Sequence, residues 1–146
     1  MNFLVLNGPN LNLLGGREPE IYGKTGYAQL CTELEEYAAR NGGRAECFQS
    51  NHEGELIDRI HAAQGEFDAI IFNPGAFTHY SYALLDALRA VSVPCVEVHL
   101  SNVHQREEFR RTSVTAPGCV GQICGLGTYG YRAAMDYFLS REAGEA

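Results

Sequence analysis

The chain has 146 residues, of which 45% are hydrophobic and 20% charged, a composition typical of one compact globular domain. Its formal net charge of -7 argues against a surface for nucleic acid or anionic membranes, because such surfaces need clustered Lys and Arg. No apolar run approaches the length of a membrane span, and the amino terminus carries no signal-type pattern, so the sequence predicts a cytoplasmic protein.

Apolar, strand-like segments alternate with segments of helical period along the chain. The predicted strands are Asn2–Asn7, Arg44–Gln49, Ala69–Asn73, Pro94–Leu100 and Val120–Cys124. The predicted helices are Tyr27–Arg40, Glu53–Gln64, Tyr82–Ala90, a short one over Asn102–Phe109, and Tyr131–Arg141. Because helices separate the strands, we expect an α/β fold: a single-domain, flavodoxin-like, doubly wound sheet of five parallel strands with helices on both faces.

The segments that follow the predicted strands are rich in polar side chains. In open α/β sheets, ligands bind beyond the carboxyl ends of the strands. The segments at those ends read GPNLNLLGGREPEIYGK, SNHEG, NPGAFTH, HLSN and GLGTYG, and four of the five contain Asn, His, Ser or Arg. The pattern predicts a ligand site at this edge of the sheet.

The first of these segments is much longer than the ~2–6 residues of an ordinary strand-to-helix connection. Glycines flank its charged part, as hinges would, and we expect a mobile active-site loop over residues 8–24. A solvated loop whose Asn and Gly residues only make turns is the alternative interpretation.

Arg17 and Tyr22 form a candidate catalytic pair within this loop. A free tyrosine has a pKa of about 10, and a neighbouring guanidinium lowers such a pKa by ~1–3 units. A tyrosine in that position can act as a general base on a carbon acid. An arginine that stacks on an exposed tyrosine is the alternative.

Further candidates lie at or just after the ends of two predicted strands. His99 ends a strand and can donate a proton near neutral pH. Ser101 or Asn102 can cap the short helix that follows. Asn73 and His79 flank the NPGAFTH segment, although Asn-Pro-Gly is also an ordinary turn sequence. An equally good interpretation of His99 is a histidine at a strand end that only forms a hydrogen bond with the backbone.

Other motifs argue against a cofactor or a metal. The GLGTYG sequence matches a dinucleotide fingerprint, but no strand follows it, so we expect its glycines to allow close helix–sheet packing. No two histidines have the spacing of a helical zinc site, and the five cysteines are scattered without a CxxC pair. We expect reduced thiols, no metal and no cofactor.

Lys24, the sole lysine, is a poor Schiff-base candidate, so carbonyl chemistry would run through an enolate.

Five long segments together resemble the type II 3-dehydroquinate dehydratases. They are LNGPNLNLLGGREPEIYG, FQSNHEGELID, NPGAFTH, VEVHLSNVHQREEFRRTS and GQICGLGTYGY, and they cover nearly the whole chain. The resemblance implies a single catalytic domain over residues 1–146 that dehydrates 3-dehydroquinate to 3-dehydroshikimate, in the shikimate or quinate pathways, without metal or imine.

The resemblance also implies roles for individual residues. Tyr22 matches the base that removes the C2 proton, and Arg17 matches the residue that favours its phenolate and stabilises the transition state. His99 matches the acid that protonates the departing C1 hydroxyl. Asn10 matches a residue that holds a water against the enolate oxygen.

The substrate-binding positions follow from the same resemblance. Asn73 and the backbone of Leu100 and Ser101 match the carboxylate site. His79 and Arg110 match the residues that hold the ring hydroxyls. These five residues come from two separate segments of the sequence.

The resemblance also implies a homododecamer built from trimers, in which Asp86 reaches the site of a neighbouring subunit. Tyr80, Tyr82 and Leu85 depart from the family pattern near this position. Two other classes of function compete with the dehydratase: a nucleotide-binding or signalling module that uses the GLGTYG turn, and a catalytically inactive scaffold.

Overall fold

The computed structural model describes residues 1–16 and 18–144, with Tyr22 described by its backbone alone. Within these residues, five parallel strands form one sheet. The strands are β1 (Asn2–Asn7), β2 (Arg44–Gln49), β3 (Ala69–Asn73), β4 (Cys95–His99) and β5 (Gly121–Cys124), and their order in the sheet is β2-β1-β3-β4-β5. This is the flavodoxin-like order, which confirms the predicted fold class.

The helices are α1 (Pro19–Tyr22), α2 (Tyr27–Arg40), α3 (Glu53–Ala62), α4 (Tyr82–Ala90) and α5 (Tyr129–Glu142). Successive residues of β1 point to opposite faces of the sheet, and this alternation divides the core into two layers. Phe3 and Val5 pack in the layer of α2 and α5, whereas Leu4 and Leu6 pack in the layer of α3 and α4. None of the helices in the described ranges is long and apolar enough to cross a membrane.

Gly130, near the start of α5, shows why the GLGTYG turn needs glycine. A Cβ atom there would lie 3.1 Å from Cγ1 of Val98 and 3.4 Å from Cγ2 of Ile123, both side chains of the sheet. The helix therefore approaches the sheet more closely than a side chain at this position would allow, which confirms the packing role predicted for this glycine.

One local prediction was wrong. The segment Asn102–Phe109 is not one helix but a pair of 3-10 turns, Val103–Gln105 and Glu108–Arg111, because the backbone of Arg106 is extended between them. The first loop, residues 8–24, contains a 3-10 turn at Leu11–Leu13 and the helix α1. Pro19 occupies the first position of α1, where proline's fixed φ suits a helix start.

Candidate active site

Loops that follow β1, β3 and β4 enclose a cavity of about 110 Å³ at the carboxyl edge of the sheet. Seven residues that the sequence analysis singled out line it: Asn10, Asn73, His79, His99, Leu100, Ser101 and Arg110. They come from distant segments of the chain, and the parallel topology brings them together because the carboxyl ends of the strands meet at one edge. Arg106, which the sequence analysis did not assign, also lines the cavity.

His99 is the last residue of β4 and is buried, with only 7% of its surface exposed. Its Nε2 atom lies 2.9 Å from Oε2 of Glu97, two residues earlier on the same strand. An ionised carboxylate only accepts hydrogen bonds, so Nε2 carries the proton of this contact. Nδ1 is therefore the ring nitrogen left to serve a ligand.

Glu97 is a fully buried carboxylate held by several donors besides His99. Gln122 donates from Nε2 at 2.6 Å, Ser113 donates from Oγ at 2.8 Å, and the Thr115 hydroxyl donates as well. Burial by itself would raise the pKa of Glu97, but the hydrogen bonds from His99, Thr115 and Ser113 outweigh it and hold that pKa below its ordinary value. Glu97 therefore stays ionised beside His99.

Sequence reasoning missed Glu97, although the strand pattern contained a signal for it. Residues two apart on a strand share one face of the sheet, so the sequence VEVHL places Glu97 on the same face as His99. A charged residue inside an otherwise apolar strand also needs a partner, because burying an unpaired charge is costly.

Asn73 ends β3 and is 3% exposed. Its Oδ1 atom accepts a hydrogen bond of 3.1 Å from the backbone N–H of Gly75. Gly75 has a φ of +60°, and a Cβ atom there would lie 3.2 Å from the carbonyl oxygen of Pro9. The Asn-Pro-Gly turn is thus pressed against the first loop, and it forms part of the cavity wall.

His79 and Arg110 line another side of the cavity; His79 ends the 3-10 turn Gly75–His79, and Arg110 belongs to the 3-10 turn Glu108–Arg111. Nδ1 of His79 donates to the carbonyl oxygen of Thr112 at 2.8 Å, and its ring meets Phe109 edge-on at 5.5 Å between centroids. The guanidinium of Arg110 stacks over the same Phe109 ring at 4.7 Å, and its Nε donates to Glu107 at 3.0 Å. Phe109 therefore contacts both side chains.

Asn10 adopts a left-handed backbone conformation, with a φ of 70°. Its backbone N–H donates to Oδ1 of Asn51 at 3.0 Å. Gln49 donates from Nε2 both to that same oxygen and to the carbonyl oxygen of Gly8, each at 3.1 Å. The segment after β2, which the sequence analysis left without a role, thus fixes the start of the first loop.

Two arginines, Arg106 and Arg110, line the cavity, and no Asp or Glu occurs among the described lining residues. The chain as a whole carries a formal net charge of -7. Such a local concentration of positive groups favours a small anionic ligand.

The structure describes only part of the predicted pair Arg17 and Tyr22. Tyr22 is the last residue of α1, while its side chain and the whole of Arg17 lie outside the described residues. Glu20, Ile21 and Gly23 line an open cleft of about 780 Å³ that shares Leu100 and Ser101 with the cavity. The backbone of α1 therefore borders the region just beyond the end of β4, where His99 lies.

Asp86 does not line the cavity of its own chain. It is an exposed residue of α4, four positions after Tyr82, which is 66% exposed. Residues four apart on a helix share a face, so both side chains point away from the core. This placement leaves Asp86 available to a neighbouring molecule.

The sequence matches the family of class II dehydroquinases over residues 1–139. The 3-dehydroquinate dehydratase of Thermotoga neapolitana is 60% identical over 137 residues, which cover 94% of this chain and 93% of that one. The enzyme of the same name from Bacillus pumilus is 58% identical over 139 residues, 95% of each chain. The crystal structure of a type II dehydroquinase from Butyrivibrio crossotus superposes with a TM-score of 0.92 at 53% identity, covering 96% of this chain and 97% of that one.

Proposed function

The chain belongs to the class II dehydroquinase family, and we infer from this that it dehydrates 3-dehydroquinate to 3-dehydroshikimate, a reaction of the shikimate pathway. The observation that carries the inference is the family match over residues 1–139, with relatives named 3-dehydroquinate dehydratase. A basic cavity supports it, because the substrate carries a carboxylate. We propose that residues 1–146 act as one catalytic domain, with residues 8–24 as a mobile loop over the site.

We propose that the reaction is an anti elimination through an enolate. The C2 proton lies next to a ketone and is only weakly acidic, so its removal needs a strong base and a stabilised oxyanion. Tyr22 is the proposed base, and Arg17 favours its phenolate and stabilises the transition state. Asn10, at the cavity wall, is proposed to hold a water against the enolate oxygen.

His99 is the proposed acid for the departing C1 hydroxyl. Because Nε2 is engaged by Glu97, the proton leaves from Nδ1, and the ring must be an imidazolium to donate it. The ionised Glu97 compensates that positive charge within the buried site. The acid thus comes from β4 and the base from the first loop, as an elimination across two faces of a ring requires.

The remaining roles concern binding and assembly. We propose that Asn73 and the backbone of Leu100 and Ser101 hold the carboxylate, and that His79 and Arg110 hold the ring hydroxyls. Their position around one cavity supports this proposal. Asp86 is proposed to complete the site of a neighbouring subunit in a homododecamer of trimers, and its exposure on α4 is compatible with that role.

The test is to mix the protein with 3-dehydroquinate and to follow the conjugated enone product by ultraviolet absorbance. We expect turnover by the wild type and none by Tyr22→Phe, which removes only the phenolic oxygen. Tyr137→Phe, a matched change on the partly exposed face of α5, should retain full activity. No enone from the wild type would reject the function, whereas full activity of a folded Tyr22→Phe would reject only the assigned base.

A further inference from the structure

A buried chain of three polar side chains runs beneath the cavity. Tyr131 of α5 is 0% exposed, and its hydroxyl donates to Oδ1 of Asn7 at 2.5 Å. The same hydroxyl accepts a hydrogen bond of 3.0 Å from Nδ2 of Asn73. Asn7 ends β1 and lies opposite Asn73 in the sheet, so Tyr131 ties the ends of two neighbouring strands together from the helix layer.

The directions of these hydrogen bonds fix the amide of Asn73. A tyrosine hydroxyl has one proton, and since that proton goes to Asn7, the hydroxyl can only accept from Asn73. At the other end of the amide, Oδ1 faces the backbone N–H of Gly75. A rotation of the amide by half a turn would set N–H against N–H at Gly75 and oxygen against oxygen at Tyr131.

An amide nitrogen has two protons, and the bond to Tyr131 uses one of them. The second is available to a ligand in the cavity that Asn73 lines. We propose that Tyr131 is a positioning residue, which acts through Asn73 to present this N–H donor to an acceptor oxygen of the bound carboxylate. The proposal rests on the function proposed above, in which Asn73 belongs to the carboxylate site.

Two properties of Tyr131 support a role beyond packing. Its ring lies in the apolar core layer of α2 and α5, where a phenylalanine would fill nearly the same volume, and a buried hydroxyl is costly unless it is hydrogen-bonded. Burial also raises the pKa of Tyr131 far above its ordinary value, so the hydroxyl remains protonated and the direction of its hydrogen bonds does not change with pH.

The first experiment compares Tyr131→Phe with Phe138→Leu, a substitution of another buried residue on the same helix. We expect Tyr131→Phe to raise KM by about tenfold while kcat changes by less than about threefold, because the charge of the carboxylate does not change during the reaction and its binding is uniform. Phe138→Leu should lower the melting temperature without changing KM. An unchanged KM in Tyr131→Phe would overturn the proposal.

A double-mutant cycle separates action through Asn73 from a general effect on the fold. The rise in KM on Tyr131→Phe should disappear in an Asn73→Ala background; an equal rise in both backgrounds would show that Tyr131 acts by another route. If Tyr131→Phe does not fold, Asn7→Ala takes its place in the cycle, because it removes the acceptor that fixes the hydroxyl proton. A wild type without dehydratase activity would reject the proposed function itself.

Discussion

Substitution of Glu97 by glutamine is the sharpest test of how Glu97 assists His99, the proposed acid. The change keeps the size of the side chain and removes its charge. Oε2 receives N–H donors from His99 and Gln122, so we expect the amide oxygen of the new side chain to take that place, which keeps both bonds without a tautomer change or an amide flip. The amide nitrogen then takes the place of Oε1, where the hydroxyls of Ser113 and Thr115 can rotate to accept. We therefore expect Glu97→Gln to fold.

The size of the effect follows from the contact to His99. Loss of one partner of a buried ion pair costs about 3–5 kcal/mol, and a hydrogen bond from a charged donor contributes about 1.5–3 kcal/mol. Because glutamine keeps the hydrogen bond and removes only the counter-charge, the imidazolium of His99 should lose the difference, about 1–2 kcal/mol. A loss of about 1–2 kcal/mol lowers a rate by about 5- to 30-fold. We expect kcat for 3-dehydroquinate to fall by this factor while KM changes little, because Glu97 lies behind His99 and does not line the cavity.

Steady-state kinetics, followed by the absorbance of the enone, measures both constants. Thr115→Val is the matched control, since it removes a hydrogen bond to the other carboxylate oxygen and leaves the contact between Glu97 and His99 in place. This control should lower the melting temperature with little change in kcat. Wild-type turnover in a folded Glu97→Gln protein, or an equal loss in Thr115→Val, would refute the reasoning.

Two further predictions concern stability. The lowered pKa of Glu97 means that the folded protein binds a proton less readily than the unfolded chain, so this stabilisation is complete above the ordinary Glu pKa of about 4.3 and is lost as the pH falls from there through the folded value. Urea denaturation between about pH 6 and 3 should show a shallower acid loss in Glu97→Gln than in the wild type. Gly8→Ala would place a Cβ atom 2.3 Å from the carbonyl oxygen of Pro74, and it should destabilise the fold by more than about 3 kcal/mol. Gly54→Ala, in α3 with open space around the new Cβ atom, should not; equal melting temperatures for the two variants would contradict the steric reasoning.

Much of the fold could be predicted because periodicity and packing agree along most of the chain. The bounds of β1, β2, β3, α2 and α4 coincide with the sequence prediction. The prediction failed over Asn102–Phe109. Asn102 caps the first turn there by accepting from the backbone N–H of His104, as one of the two predicted caps, but the extended backbone of Arg106 ends the turn, so no single helix forms. α1 spans only four residues, too few for a helical period to be recognised.

Polar residues that line the candidate site could be predicted from the sequence, whereas the buried residues behind them could not. Polar residues after the strands stood out in the sequence because loops are expected to be polar around a ligand. Glu97 and Tyr131 did not stand out, since each belongs to a segment that reads as apolar core. Their partners are distant in the chain: Gln122 lies 25 residues from Glu97, and Asn7 lies 124 residues from Tyr131. Tertiary packing, which local patterns do not encode, brings these groups together.

The proposed acid and the proposed base differ in how firmly the surrounding structure holds them. The orientation of His99 is fixed by a buried carboxylate on the central part of the sheet, so the acid is in place before any ligand arrives. The proposed base belongs to a helix of four residues, of which Pro19, Glu20 and Ile21 are exposed. A helix this short has little stability of its own, and its position depends on contacts with the rest of the site. The cleft that α1 lines meets the cavity at Leu100 and Ser101, the proposed carboxylate site, so a ligand bound there lies where contacts with α1 can form.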